Sequence, residues 1–245
     1  MSATWYCCRQ RAGPLVKECR ALRPRFGADD TAQDRAEKTA VKKYERTAVS
    51  RKMVDRLELR LALFGRNGWM HTLTFDSDHL PRDFKGVRAA LKTFFQRVRR
   101  WRESLGKPPS FCYIYAIEGL HGNRRYHIHF ITDYYELGPA EVQHLWRCGM
   151  VDSEPVLLKE GGFRRLAEYL NKERTDGFVI PIGRHPWSCS RTLNAKLPPP
   201  EKWKDTSGVI DVPEDAVWVR RGNTENSFGA YYYASWILPE SRATD

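Results

Sequence analysis

At 245 residues the chain is long enough for one good core with a smaller appended unit and too short for two full-sized domains. Its 41 Lys and Arg against 30 Asp and Glu leave a net charge of +11, which points to a polyanionic partner, nucleic acid first. No apolar run approaches the ~18 residues of a membrane span, the start MSATWYCCRQ lacks the apolar stretch of a secretion signal, and the six cysteines form no C-x-x-C pair of the kind zinc ribbons and redox sites use. A soluble, cytoplasmic protein with reduced thiols is expected.

The charge is concentrated. Residues 1–65 hold 15 basic against 8 acidic side chains and residues 82–107 hold 9 against 2, so two stretches exceed the whole net charge. The first begins with an arm containing Pro14 and Pro24, expected to be mobile, and continues from Thr31 to Phe64 as a basic helix or broken helix pair, with Val54, Leu57, Leu61 and Phe64 at helical spacing. Residues 1–65 are therefore expected to be a basic, largely helical N-terminal extension. We expect it to grip DNA or dock a partner.

From Trp69 the pattern changes. Trp69 to Phe75 is β-branched and aromatic, as a strand requires, and Pro81 closes the turn after it. Val87, Leu91, Phe94, Val98, Trp101 and Leu105 then recur on one face of a helix spanning about 83–105, with Arg88, Lys92 and Arg99 on the other side. Phe111 to Glu118 is apolar on both faces and predicts an interior strand. A glycine-containing loop leads to Tyr126 to Thr132, the return strand of a hairpin. A short helix over about Pro139 to Arg147 and a strand over about Met150 to Leu158 complete the order β-α-β-β-α-β. That order is the split βαβ arrangement of an α+β, ferredoxin-like core with a central antiparallel sheet. A helix over Gly162 to Glu173 follows. Pro198-Pro199-Pro200 reads as a linker, and Ala216 to Arg220 and Phe228 to Ile237 read as short strands of a C-terminal segment packed on the core. The expected domain therefore spans 66–197, with 198–245 beyond it.

A few residues carry the chemistry. His127 and His129, two apart on a strand, project from one face. Two neutral imidazoles side by side suit a metal ion, although the same H-x-H pattern serves as well for surface or hydrogen-bonded histidines. Glu118 ends the partner strand, where the hairpin register can set its carboxylate beside the imidazoles or leave it as an ordinary strand-end acid. Tyr169 and Lys172, three apart on a helix, point the same way; a helix tyrosine alone more often packs in an amphipathic core.

Taken together, MHTLTF at 70–75, HIHF at 127–130 and EYLNK at 168–172 resemble, in order and spacing, the three motifs of HUH endonucleases of the rolling-circle replication initiator type. The resemblance covers about residues 66–175. It implies that His127, His129 and Glu118 hold Mg²⁺ or Mn²⁺, that Tyr169 is the nucleophile that nicks single-stranded DNA and stays on the 5′ phosphate, and that Lys172 helps position the site. Two-tyrosine relatives carry another tyrosine four residues upstream. Here that position is Arg165, so a single-tyrosine enzyme is implied.

Phosphoryl transfer depends mainly on positioning and charge neutralisation, so a phenol beside a bound cation needs no strong side-chain base. For gripping DNA, Arg124 and Arg125 in the hairpin loop, Arg165 beside the tyrosine, Arg184, Arg191 and the helix cations Arg88, Lys92 and Arg99 are the candidates. Trp187 suits base stacking or core packing, the latter preferred, and Tyr231-Tyr232-Tyr233 suits strand packing better than a spare nucleophile. No G-x-x-x-x-G-K-[ST] phosphate loop is present, so a host helicase and polymerase are expected partners at an origin hairpin of a phage, plasmid or other mobile element. A relaxase or single-strand transposase with the same site is the rival within the enzyme class. A non-catalytic nucleic-acid-binding module is the rival outside it.

Overall fold

The computed structural model describes residues 4–22, 51–119, 125–156, 163–171, 187–226 and 229–239. In chain order the elements are β1 (Trp5–Ala12), β2 (Leu15–Leu22), α1 (residues 51–62), β3 (Gly68–Thr74), α2 (Phe84–Ser104), β4 (Tyr113–Glu118), β5 (His127–Asp133), α3 (Pro139–Trp146), β6 (Val151–Pro155), α4 (Arg164–Tyr169), β7 (Trp187–Cys189), α5 (Arg191–Ala195), β8 (Glu201–Asp205), β9 (Trp218–Asn226) and β10 (Gly229–Ile237). They make a mixed α+β protein with two five-stranded antiparallel sheets, ordered β8-β1-β2-β10-β9 and β6-β3-β5-β4-β7. No helix of the described residues is long and apolar enough to cross a membrane.

The expectation of one main domain with a helical extension is corrected here. The chain divides into two compact units, Met1–Leu63 with Glu160–Arg164 and Leu197–Asp245, and Phe64–Lys159 with Arg165–Lys196. In the first, the segment expected to be a mobile arm is the hairpin β1–β2, with Pro14 in its turn. β10 pairs with β2, Tyr233 opposite Cys19, so the C-terminal strands complete a sheet begun by the N-terminal ones. The stretch Thr31 to Ser50 of the expected helix lies outside the described residues; residues 51–62 are helical.

The hairpin is hard to read in sequence because its buried face carries ions where a simple amphipathic strand carries apolar side chains. Glu18 and Arg20 are buried. Arg9 Nε donates to Glu18 Oε2 at 2.7 Å, Arg20 Nε to Glu18 Oε1 at 2.9 Å, and Arg20 Nη1 to Asp205 Oδ2 at 2.8 Å. Both guanidiniums lie over the Trp203 ring, 5.5 and 5.9 Å from its centroid. Charges tolerate burial only when paired in this way.

In the second unit the expected elements form with ends moved by a few residues. The Asp83 side chain caps α2 by accepting from the Gly86 N–H at 2.8 Å. Val87, Leu91, Phe94 and Val98 are buried as their spacing predicts. Leu105, at the C-cap, is half exposed, and Arg102 is buried in its stead, its Nε donating to Pro108 O at 2.8 Å. α2 and α3 cover one face of the sheet. Phe94 meets Phe130 and Trp146 edge-on at 5.2 and 5.6 Å, and Arg97 ties the helices by donating to the Trp146 carbonyl at 2.9 Å. Gly149, at φ 153°, lets the chain pass within contact of β3, because a Cβ there would meet Thr74 O at 2.5 Å. The Trp146 indole donates to that same carbonyl at 2.8 Å.

His71 is fully buried in this core. Thr132 Oγ1 donates to Leu137 O and therefore accepts from His71 Nε2 at 3.0 Å, which leaves Nδ1 to accept from Ser153 Oγ at 2.9 Å. Burial holds its pKa down from 6.5 to about 4. The unfolded chain thus takes up this proton near pH 6.5 and the folded one only near pH 4. The contribution is full above 6.5 and falls by on the order of 3 kcal/mol as pH drops to 4. Urea unfolding of the wild type should show a midpoint that falls over that window, and His71→Gln should flatten the fall. In the same assay at neutral pH, Phe94→Ala should cost about 3–5 kcal/mol.

Candidate active site

The site lies on the sheet face opposite α2 and α3. Alternation on β5 sends Ile128 and Phe130 into the helix-covered core and His127 and His129 to the other side. The antiparallel register sets Glu118 of β4 directly opposite His127, and Ala116 opposite His129. On the other flank of β5, Thr72 of β3 is opposite His129. Ala116 has no side chain beyond Cβ, so the imidazole and the carboxylate above it meet without obstruction.

Glu118 and His129 are buried, and His127 is partly open. The Glu118 carboxylate bridges both rings, Oε1 to His129 Nε2 at 2.9 Å and Oε2 to His127 Nε2 at 3.0 Å. One ligand atom from each of the three residues lies within 4.8 Å of the other two. His127 Nδ1 stands 3.2 Å from the Arg125 carbonyl, which can only accept, so this nitrogen carries the hydrogen and a neutral ring turns its Nε2 lone pair toward Glu118. A lone pair and a carboxylate oxygen at that distance require a cation between them, a proton or a metal. Two imidazole nitrogens and one carboxylate oxygen are a donor set that divalent ions such as Mn²⁺ or Zn²⁺ accept and Mg²⁺ tolerates. The residues therefore fit a divalent cation.

Tyr169 completes the arrangement. It is the last residue of α4, which buries Ala167 and is followed by buried Leu170 and Asn171. Asn171 Nδ2 donates to Ala167 O at 2.7 Å and ties down the turn carrying the tyrosine. The Tyr169 hydroxyl is 3.2 Å from His129 Nε2, with the rings edge-on at 5.2 Å, and the side chain is 40 % exposed, so a phosphodiester can approach from solvent.

The expected DNA-contact residues do not gather in one place. Arg125 and Arg165 are exposed, the one just before β5 and the other in α4, and Arg191 is exposed at the start of α5. Arg88, Lys92 and Arg99 line a groove of about 350 Å³ with Phe95 and Tyr115. Tyr115 alternates with Ala116, so this groove is on the helix-covered side, away from the triad. Lys172, Arg124 and Arg184 lie outside the described residues. Sequence reasoning missed the partners in the same transverse row. Thr72 Oγ1 is 3.3 Å from His129 Nδ1, Asp152 of β6 is opposite Thr72, and Trp187 of β7 is opposite Ala116, which puts Trp187 at the site's flank and not in the core. The alternation in MHTLTF, two residues before Thr74, was the signal available for Thr72.

No curated protein and no solved structure matches the chain. Residues 68–174 match the model of the replication-associated protein family typified by ORF2, and the match takes in β3, the Glu118–His127–His129 cluster and Tyr169. Over residues 68–174, this chain carries a domain of that replication-associated protein family.

Proposed function

We propose that the protein is a metal-dependent, single-tyrosine endonuclease that nicks single-stranded DNA at a replication origin and remains joined to the new 5′ end. The observation that carries this reading is the Tyr169 hydroxyl at 3.2 Å from an imidazole of a Glu–His–His cluster, on a replication-associated domain. The order β6-β3-β5-β4 supports reading the frame as the ferredoxin-like split βαβ arrangement, which sets the two histidines on its central strand.

Glu118, His127 and His129 would hold Mg²⁺ or Mn²⁺, which when bound supplies Lewis-acid polarisation of the scissile phosphate and neutralises charge on it. Tyr169 supplies the attacking oxygen. Its bond to phosphorus replaces the bond to the 3′ oxygen, and the proton the phenol gives up is matched by the one the 3′ oxygen gains. One phosphodiester is exchanged for another, so the reverse step can rejoin strands without ATP. The released 3′-OH is a primer for a host polymerase. Thr72 and the Arg125 carbonyl orient the imidazoles, and Asn171 holds the tyrosine's turn. Lys172 has the positioning role of the family motif. Arg125 and Arg165 contact phosphates, and Trp187 offers a stacking face at the flank.

Incubating the protein with Mn²⁺ and labelled single-stranded oligonucleotides from its own element should give a detergent-resistant adduct. Tyr169→Phe should abolish it, and His127→Ala or His129→Ala should reduce it by several orders of magnitude. An adduct persisting in Tyr169→Phe would assign the chemistry to another residue. Calorimetric titration with Mn²⁺ should show one site per chain, weakened about 10- to 100-fold in Thr72→Val, whose ring orientation suffers while all three ligands remain. Unchanged affinity in that variant would remove Thr72 from the site.

A further inference from the structure

The sheet of the first unit has a second face that the proposed nickase does not use. Its apolar filling, Val16, Ala234 and Trp236 with Ile210, Val212, Ala216 and Leu238, lies on one side. Strand alternation puts Tyr6, Tyr231 and Tyr233 on the other. By register one row across the sheet runs Lys204, Tyr6, Ala21, Tyr231, and the next carries Lys202 at one edge and Tyr233 beside Gly222 at the other. No carboxylate stands in either row among the described residues.

Three features make this more than a stretch of exposed tyrosines. Tyr6 is 49 % and Tyr231 42 % exposed, large apolar rings that a sheet serving only as scaffold has no reason to present. The two are separated by a single strand whose intervening residue is Ala21, leaving a slot about 10 Å wide between them. The Tyr233 ring lies down over Gly222, where any Cβ would meet it at 2.5–2.6 Å, so the glycine is what lets the ring lie against the sheet surface. Cations accompany the rings. Lys204 Nζ is 5.7 Å from the Tyr6 centroid and Arg220 Cζ 5.3 Å from that of Tyr233. A charge that can take a phosphate and a π-face that can take the neighbouring base thus come as a unit.

We propose that this face is a second docking site for single-stranded DNA, with bases stacking on Tyr6, Tyr231 and Tyr233 and phosphates held by Lys202, Lys204 and Arg220. Single strands fit it and duplexes do not, because only unpaired bases expose a face for stacking. The choice of DNA over RNA rests on the nickase reading; the surface chemistry itself does not.

The test uses the full-length protein and a thymidine homopolymer, with binding followed by fluorescence anisotropy at several salt concentrations. Tyr6→Ala and Tyr231→Ala should each weaken binding on the order of ten-fold, while Tyr6→Phe and Tyr231→Phe retain it. Lys204→Gln should lower the slope of log affinity against log salt by about 0.7. Bromodeoxyuridine in the same oligomer should cross-link to Tyr6 or Tyr231. Adduct formation at Tyr169 on a short origin-derived oligonucleotide should be unchanged in all these variants. Alanine variants that bind as the wild type does, an equal loss on duplex DNA, or tighter binding of a uridine homopolymer would each overturn the proposal. If the wild type forms no adduct yet the alanine variants lose single-strand affinity, the nickase reading fails and the second site stands.

Discussion

The carboxylate of Glu118, shared by two imidazoles on the next strand, is the interaction on which the rest of the candidate site depends. It exists because β4 and β5 pair with Glu118 opposite His127 and Ala116 opposite His129. A slip of one residue would send both histidines into the core among Phe94, Phe130 and Trp146 and bring Ile128 to the surface in their place. The aromatic packing beneath the sheet therefore fixes the register, and the register fixes the donor set. Stability and chemistry are coupled through the strand alternation, with no separate element dedicated to either.

The two faces of that sheet divide the work. One is closed by α2 and α3, with Arg97 and the Trp146 indole binding helix to helix and helix to strand. The other stays accessible enough for a tyrosine on a short helix to reach an imidazole while keeping part of its ring in solvent. The basic face of α2 belongs to the closed side. Its cations raise the protein's general attraction for nucleic acid without standing beside the triad, so a positive helix and an active site in one domain need not serve the same stretch of DNA.

The other unit solves a different problem. Its sheet is assembled from strands near the two ends of the chain, and the face of β1 and β2 that turns inward is held by an ion cluster around Glu18 and by guanidiniums over Trp203. Such a core relies on pairing more than on apolar area, and its partners come from strands some 185 residues apart in sequence, as the bond from Arg20 to Asp205 shows.

The residues by themselves determined much of the second unit. The 3.6-residue spacing from Val87 to Val98, the H-x-H alternation and the tyrosine motif are local signals, and local signals survive in sequence because the helix and strand periods are fixed by backbone geometry. Glu118 was legible too, as the end of a strand facing a hairpin. Only the tertiary structure decided that Thr72 reaches His129, that Trp187 flanks the site, and that Arg88, Lys92 and Arg99 face away from it, because each depends on which strands become neighbours. The same reason hid the hairpin at Trp5–Leu22. Its apolar alternation is interrupted by charges whose partners come from β8, and no local window contains both halves of that pairing.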